Sequence, residues 1–272
     1  MPQAFPAGEF YSPIVDARAL LGGPDRERVW PDDVPDPPGV DLRAPAQLAL
    51  LRDLTLHPMP PDVPGYDPAN DQFPPHDAAV LYAMVHHLRP RRFVEIGSGW
   101  STTVTAAAIA DSGSGTALTC IEPYPRDFLR TMEDRLTLRV EQVEHSPLSL
   151  FDDLEAGDVC FIDSSHVAKT GSDVIHELLV VVPRLAPGVI VHVHDIFLPE
   201  DYPQGWVRNG FNWNEQYVLQ AYLVGNRDAH VLLANHWLAL RHPEAVQDAF
   251  ALPALHGSSF WFSTGPAPDG VG

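Results

Sequence analysis

The amino-acid sequence predicts an α/β fold, in which helices cover both faces of a doubly wound, mostly parallel sheet of seven strands. Short apolar segments alternate with helix-like segments over most of residues 77–264. Most of the apolar segments are hydrophobic at consecutive positions, as expected for strands that are buried on both faces of a sheet. The first of these segments ends in a glycine-rich turn that leads directly into a helix. Strands of this kind, separated by helices, favour a parallel sheet.

The sequence before the sheet differs from the rest. Residues 1–75 contain many prolines, and a single helix is predicted there, over residues 45–56. The alternative is a disordered leader, but Phe10, Trp30 and Phe73 are examples of large apolar side chains that a solvated tail does not need. We therefore predict an ordered arm at residues 1–75 that covers the ligand face, a main domain at residues 76–265 and a tail at residues 266–272.

The main domain is predicted to begin with a helix over residues 77–88, which Pro90 ends. The first strand covers residues 93–96 and is followed by a helix that opens at Ser101. In chain order, the remaining strands are predicted at 117–121, 138–143, 158–162, 188–193, 229–237 and 258–263, and the remaining helices at 128–136, 171–185, 214–224 and 243–250.

The composition excludes several classes of function. The 17 basic and 36 acidic side chains give a net charge of −19, which argues against binding to nucleic acid. Cys120 and Cys160 lie in apolar strands and are predicted to be buried thiols. We see no secretory signal and no apolar segment near the roughly 18 residues of a membrane span. The expectation is a soluble cytoplasmic protein that binds neither membranes nor nucleic acid.

The turn after the first strand is suited to a nucleotide-like ligand. Gly97 and Gly99 let a ligand approach bare backbone, and the helix that follows directs free N–H groups at it. A dinucleotide site needs a third glycine, where this chain has Thr102. S-adenosylmethionine instead needs an acid for its ammonium group, and Glu95 supplies one. Glu122, 25 residues after Gly97, follows the second strand, where an acid can accept hydrogen bonds from a ribose diol.

The Glu-x-Gly-x-Gly pattern of residues 95–99 resembles motif I of class I S-adenosylmethionine-dependent methyltransferases. That resemblance implies a Rossmann-like sheet whose last strand is antiparallel. The predicted cofactor-binding residues are Glu95, Gly97, Ser98, Gly99, Ser101, Glu122, His145 and Asp163.

Further polar residues follow the fourth and fifth strands, namely Asp163, His166, His194 and Asp195. They resemble the active site of metal-dependent sugar O-methyltransferases of the macrocin and mycinamicin type. In that family the corresponding acids hold magnesium, and a histidine three residues after the first acid serves as base, which implies His166 here. His194 stands where the family has a carboxylate. The predicted metal ligands are thus Asp163, His194 and Asp195, for magnesium or a softer ion such as iron, manganese or zinc.

The sequence therefore predicts O-methylation of a hydroxyl on a small glycosylated or polyhydroxylated metabolite, with His166 as base and His194 as the competing candidate. The aromatic stretch at residues 199–216 is a candidate lid over the acceptor, or an ordinary loop that packs inward. The alternatives are a nicotinamide-dependent oxidoreductase and a non-catalytic cofactor-binding module. The single lysine, Lys169, does not form the Tyr-x-x-x-Lys pair that the oxidoreductase predicts. A homodimer is expected if two subunits exchange their arms.

Overall fold

The computed structural model describes residues 4–250, 252 and 257–267. Its described residues form a seven-stranded sheet in the order β3-β2-β1-β4-β5-β7-β6, in which β7 is antiparallel to both of its neighbours. The strands are β1 (Arg92–Ile96), β2 (Ala117–Ile121), β3 (Thr137–Arg139), β4 (Val159–Ile162), β5 (Ile190–Val193), β6 (Ala229–Ala234) and β7 (Phe260–Thr264). This sheet confirms the predicted fold class.

The register of the parallel strands aligns their carboxyl ends. Ile96 at the end of β1 pairs with Ile121 of β2 on one side and with Ile162 of β4 on the other. Ile162 in turn pairs with Val193 of β5. The residue that follows each of these strands therefore lies on one edge of the sheet, where open α/β sheets bind their ligands.

Helices cover the sheet and supply much of the core. The described helices are α1 (Ala17–Gly22), α2 (Asp25–Val29), α3 (Ala44–Leu54), α4 (Pro75–Leu88), α5 (Trp100–Ser112), α6 (Asp127–Arg130), α7 (Ser149–Asp152), α8 (Asp173–His176), α9 (Gln204–Arg208), α10 (Glu215–Leu223), α11 (Asn235–Arg241) and α12 (Pro243–Phe250). Helix α4 is buried from His76 through Val85. Because it is apolar on nearly every side, it lies inside the molecule rather than on its surface.

Several predicted elements differ from the structure. The third strand, expected at 138–143, is limited to β3 at Thr137–Arg139. The strand expected at 229–237 ends at Ala234, and α11 begins at the next residue, because the apolar run continues across the boundary and does not mark it. The helix expected at 128–136 is limited to α6, where Leu129 is the one buried residue. The helix expected at 171–185 consists of α8, a π-helical segment (Glu177–Val181) and a 3₁₀ segment (Val182–Arg184).

The arm is ordered from residue 4 and contacts the main domain. Besides α3 it contains α1 and α2, which the proline-rich sequence did not predict. The indole N–H of Trp30 donates to the carbonyl oxygen of Tyr202 at 2.9 Å, and that of Trp237 donates to Asp36 at 2.8 Å. These contacts place Trp30 beside the segment that follows β5 and Asp36 beside α11. Among the described residues, no helix has the length and apolar character to cross a membrane.

Candidate active site

A large cavity opens at the carboxyl ends of β1, β2, β4 and β5. Its volume is about 1380 Å³, and its walls include the glycine turn, the loops after β4 and β5, and the arm. Small-molecule sites commonly occupy about 300–1,000 Å³. The cavity is therefore large enough for a cofactor and an acceptor side by side. A second cavity of about 390 Å³ adjoins it next to Glu122.

The glycine turn is shaped by a close approach between two backbones. Gly97 has φ +77°, and a Cβ atom at this position would overlap the carbonyl oxygen of Asp163. Glycine is required there both by the left-handed conformation and by the lack of space. Thr102, which occupies the place of a third glycine, accepts a hydrogen bond from the Gly99 N–H at 3.0 Å and so caps α5.

Glu95 lies under this turn rather than in the cavity. Its side chain is completely buried, and its carboxylate accepts a hydrogen bond from the Ser101 hydroxyl at 2.6 Å. Burial raises the pKa of Glu95 to about 7, against the smaller opposing effect of this hydrogen bond. The structure thus gives Glu95 a direct role in supporting the turn, whereas its contact with the cofactor ammonium stays a prediction.

Glu122 stands where the sequence predicts the ribose-binding acid. It lines both cavities, and its two carboxylate oxygens accept the N–H groups of Ser98 at 3.1 Å and Tyr124 at 2.7 Å. Gln142, Val143 and Glu144 line the second cavity. His145, which we predicted to face the adenine, is exposed at the end of the 3₁₀ segment Val143–His145 and is not among the residues that line this cavity, so its contact with the cofactor stays a prediction.

The polar residues predicted after β4 and β5 do come together. One atom from each of Asp163, His166 and Asp195 lies within 4.8 Å of the others, the one such group of three among the described residues. The Nε2 atom of His166 is 3.5 Å from an oxygen of each aspartate. The Nδ1 atom of His194 is likewise 3.5 Å from an oxygen of each. Both histidines therefore approach the same two aspartates, but only His166 lies close to both carboxylates in one group of three.

His166 is oriented by a buried glutamate. Its Nδ1 atom lies 2.8 Å from Oε2 of Glu215, which opens α10 and is completely buried. A carboxylate only accepts, so Nδ1 carries the proton and Nε2 faces Asp163 and Asp195. Burial favours the neutral ring, but Glu215 and the two aspartates outweigh it and raise the pKa of His166 to about 9. A cation between the aspartates would remove part of this effect.

His194 lies behind His166, away from the cavity wall. Its side chain is 1% exposed, and its Nε2 atom is 3.2 Å from the buried carboxylate of Asp77 in α4. Its Nδ1 atom is buried without a hydrogen-bond partner. The group that fits one cation is Asp163, His166 and Asp195, so the role of His194 as a ligand stays a prediction. Since His166 contributes to the cavity wall, His166 is the better placed base of the two.

Two residues of this cluster have unusual backbone conformations. His166 has φ +60° and Asp195 has φ +59°, both in the left-handed region. Side chains with a Cβ atom rarely adopt it, and such positions cluster at functional sites. These two observations support the cluster as the functional centre of the cavity.

Aromatic side chains form the wall of the cavity beyond His166. Trp213 lies 4.3 Å from the His166 ring, and Trp206 and Phe211 follow at 4.8 and 5.0 Å from Trp213 (ring centroids). All three line the cavity. The stretch that we predicted as either a lid or an inward-packed loop therefore presents aromatic faces to the site.

Asp77 and Glu215 are the two site residues to which the sequence analysis gave no role. Asp77 is the first residue of the predicted helix at residues 77–88, where acids are common. Glu215 lies within the aromatic stretch at residues 199–216. Buried carboxylates that hold histidines have no local sequence signal, because their partners are distant along the chain.

Comparison with known proteins agrees with this geometry. A family model described as a methyltransferase domain matches residues 94–196, which include the glycine turn, Glu122 and the cluster after β4 and β5. An uncharacterized protein of Archaeoglobus fulgidus is 32% identical over 165 residues, which cover 56% of this chain and 74% of that protein.

Solved structures resemble the chain at lower identity. The O-methyltransferase TomG from Streptomyces achromogenes, solved with SAM, is 17% identical and has a TM-score of 0.44, with 84% of this chain and 92% of TomG covered. An O-methyltransferase from Bacillus cereus, solved with SAH, is 16% identical with a TM-score of 0.43, and 81% of this chain and 91% of that one are covered.

Proposed function

We propose an acceptor and a mechanism for this protein, which belongs to the class I S-adenosylmethionine-dependent methyltransferases. This membership confirms the predicted enzyme class and cofactor and excludes the nicotinamide-dependent alternative. The proposed reaction is methylation of a hydroxyl group on a small glycosylated or polyhydroxylated metabolite. The observation that carries the proposal is the pair formed by His166 and Glu215 at the cavity wall, 2.8 Å apart.

An alcohol needs this pair because it is a poor nucleophile near neutral pH. The acceptor oxygen attacks the methyl carbon, the carbon–sulfur bond breaks, and S-adenosylhomocysteine leaves with the electron pair. The hydroxyl proton passes to Nε2 of His166 as the new bond forms. Glu215 holds the ring in the required tautomer and stabilises its positive charge, as the acid of a catalytic triad does.

The proposed cofactor site lies at the glycine turn. The bare backbone at Gly97, Ser98 and Gly99 admits the amino-acid part of the cofactor, with Ser101 beneath it, and Glu122 accepts the ribose hydroxyls. Asp163 lies between this site and the acceptor. Glu144 and Gln142 line the second cavity and are the better candidates beside the adenine, because His145 does not line it.

A divalent cation is part of the proposal. Asp163, Asp195 and His194 would hold it, and when bound it would orient neighbouring hydroxyls of the acceptor and make them more acidic. The aromatic wall at Trp206, Phe211 and Trp213 suits the apolar face of a sugar or another ring. The arm, through Trp30, would cover the acceptor. The homodimer and the cytoplasmic location stay predictions.

The acceptor class is tested by following S-adenosylhomocysteine formation with a panel of glycosides and polyols. Each active compound is paired with an analogue that lacks the methylated hydroxyl, and matched amines complete the panel. We expect turnover with hydroxyl-bearing compounds and none with the deoxy partners. Methyl transfer confined to amines or carbon atoms would contradict the proposal.

A further inference from the structure

The cavity contains a second pair of polar side chains, to which the proposed mechanism gives no role. His236 and Glu200 both line the cavity, and Nε2 of His236 lies 2.8 Å from Oε2 of Glu200. The loop after β5 supplies Glu200, and the first turn of α11 supplies His236. Strand β6 runs parallel to β5, because both are antiparallel to β7, so the carboxyl end of β6 reaches the ligand edge of the sheet. That edge therefore continues from His166 to the last strand in the sheet.

A row of rings connects this pair to the proposed base. The ring of His166 lies 4.3 Å from that of Trp213, which lies 4.8 Å from that of Trp206 (centroids). Trp206 lies 5.0 Å from Phe197, and Phe197 lies 5.5 Å from the ring of His236. All five side chains line the cavity. The row is thus a continuous wall against which one extended acceptor fits.

The two ends of this row are too far apart for a single sugar ring. In the sheet order, β5 and β7 separate β4 from β6, so the ends of β4 and β6 are three strand spacings, or about 14 Å, apart. The loop after β4 carries His166, and α11, which follows β6, carries His236. A ring that presents its hydroxyl group to His166 does not reach this second pair, whereas an acceptor of two rings does.

Glu200 is held in a position to accept a further hydrogen bond. His236 occupies only Oε2, and Oε1 makes no hydrogen bond to the residues that the structure describes. The side chain is 37% exposed. The Glu200 backbone is fixed, because its N–H donates to the Phe197 carbonyl oxygen at 2.9 Å and its carbonyl oxygen accepts from the Gln216 amide at 3.3 Å. A fixed carboxylate beside aromatic faces suits a ring that carries hydroxyl groups.

We propose that Glu200 and His236 form a second acceptor subsite, which binds a hydroxyl-bearing ring attached to the sugar that is methylated. The faces of Phe197 and Trp206 contact this ring, and Glu200 accepts its hydroxyl group. The arm covers the subsite, because Trp30 lines the cavity and is hydrogen-bonded to the segment after β5. A second sugar and a hydroxylated aglycone offer the same chemistry. The inference rests on the proposed function, since it specifies the acceptor of the same reaction.

Compounds that share one sugar and differ in the second ring test the proposal. The methyl, phenyl and 4-hydroxyphenyl glycosides of each sugar are compared with a disaccharide that has the same terminal sugar. We expect kcat/KM to be at least about tenfold higher for the 4-hydroxyphenyl glycoside or the disaccharide than for the phenyl glycoside, because only the former two offer a hydroxyl group to the Glu200 carboxylate. These two compounds distinguish an aglycone from a second sugar.

Replacement of Glu200 by alanine should lower this preference for a hydroxylated second ring by about tenfold or more. The loss should appear in KM rather than in kcat, because the subsite is remote from the reacting atoms, whereas a structural defect would lower kcat for every compound alike. Asp152→Ala is the matched control. Asp152 is also in an ion pair, and its side chain is 38% exposed, but it lies in α7 and does not line the cavity.

Calorimetry on the complex with S-adenosylhomocysteine measures the same preference without turnover. Equal affinity and equal kcat/KM for the phenyl glycoside and both hydroxylated compounds would overturn the proposal, as would a Glu200→Ala protein with the wild-type preference. Methylation of the sugar without any such preference overturns this inference and leaves the proposed function standing. Methyl transfer confined to amines, with the preference retained in binding, contradicts the proposed function and supports the subsite.

Discussion

The Nδ1 atom of His166 and the Oε2 atom of Glu215 lie 2.8 Å apart, although 49 residues separate them in the sequence. This contact joins the loop after β4 to the start of α10. It also leaves Nε2 of His166 directed at the centre of the site. Four predictions follow from this site and from the turn beside it.

Replacement of His166 by alanine should slow turnover by about 10²–10⁴-fold while leaving the affinity for S-adenosylmethionine unchanged, because the proton acceptor is lost and the cofactor site is not. Glu215→Gln should also lower kcat, because a neutral amide neither holds the His166 ring in the required tautomer nor stabilises its positive charge. Steady-state kinetics and calorimetry measure the two effects. His230→Ala, at a histidine of β6 that does not line the cavity, is the control. Wild-type turnover in His166→Ala would show that another residue is the general base.

Replacement of Glu122 by alanine should weaken the binding of S-adenosylmethionine by about 1.5–3 kcal/mol, because hydrogen bonds between a charged carboxylate and the ribose are lost. Isothermal titration calorimetry gives this difference directly. Glu133→Ala removes an exposed glutamate and should bind the cofactor as wild type does. Equal affinities of the two variants for S-adenosylmethionine would show that Glu122 does not bind the cofactor.

Replacement of Gly97 by alanine should lower the free energy of unfolding by about 2–4 kcal/mol and abolish tight cofactor binding. The new Cβ atom would overlap the Asp163 carbonyl, and φ +77° is unfavourable for alanine. Denaturant unfolding measures the first effect and calorimetry the second. Gly205→Ala is a suitable control, because a Cβ atom there meets no neighbour within 4 Å. A Gly97→Ala protein as stable as this control would contradict the close approach.

Replacement of Glu95 by glutamine should change how stability depends on pH. Burial raises the pKa of Glu95 to about 7, so the folded protein retains a proton that the unfolded chain loses near its usual value of 4.5. The contribution of Glu95 to stability therefore falls as pH rises from about 4.5 to about 7.

Glutamine does not titrate, so the stability of the variant relative to wild type should improve by about 3 kcal/mol between pH 4.5 and pH 8. Denaturant titrations across this range test the difference, with Glu133→Gln as the exposed control. Parallel curves for Glu95→Gln and wild type would show that Glu95 ionises normally.

The parts of the site that the sequence predicted are those fixed by the ends of strands. Gly97, Glu122, Asp163 and His194 each follow directly after a buried strand, and the parallel register then places them on one edge. Apolar strands are visible in a sequence, so the position of the residue after each one can be deduced. The position of the cavity at this edge was predictable for the same reason.

The supporting residues were not predictable, because they depend on contacts between distant segments. Asp77 lies 117 residues before His194, and nothing near it in sequence indicates that it is buried against β7. The role of Glu95 is a further case. A carboxylate at the end of a strand can face a ligand or turn beneath the loop, and only the packing of Ser101 and Cys120 around it decides between the two.

The contact between Gly97 and the Asp163 carbonyl has a consequence for how the two proposed ligands affect each other's binding. The turn that we propose for the methyl donor and the loop that carries Asp163, a proposed cation ligand, touch backbone to backbone, with no side chain between them to absorb a displacement. A ligand that orders one segment therefore orders the other. Cofactor and cation should then raise each other's affinity by the same factor, since a coupling free energy between two sites is reciprocal.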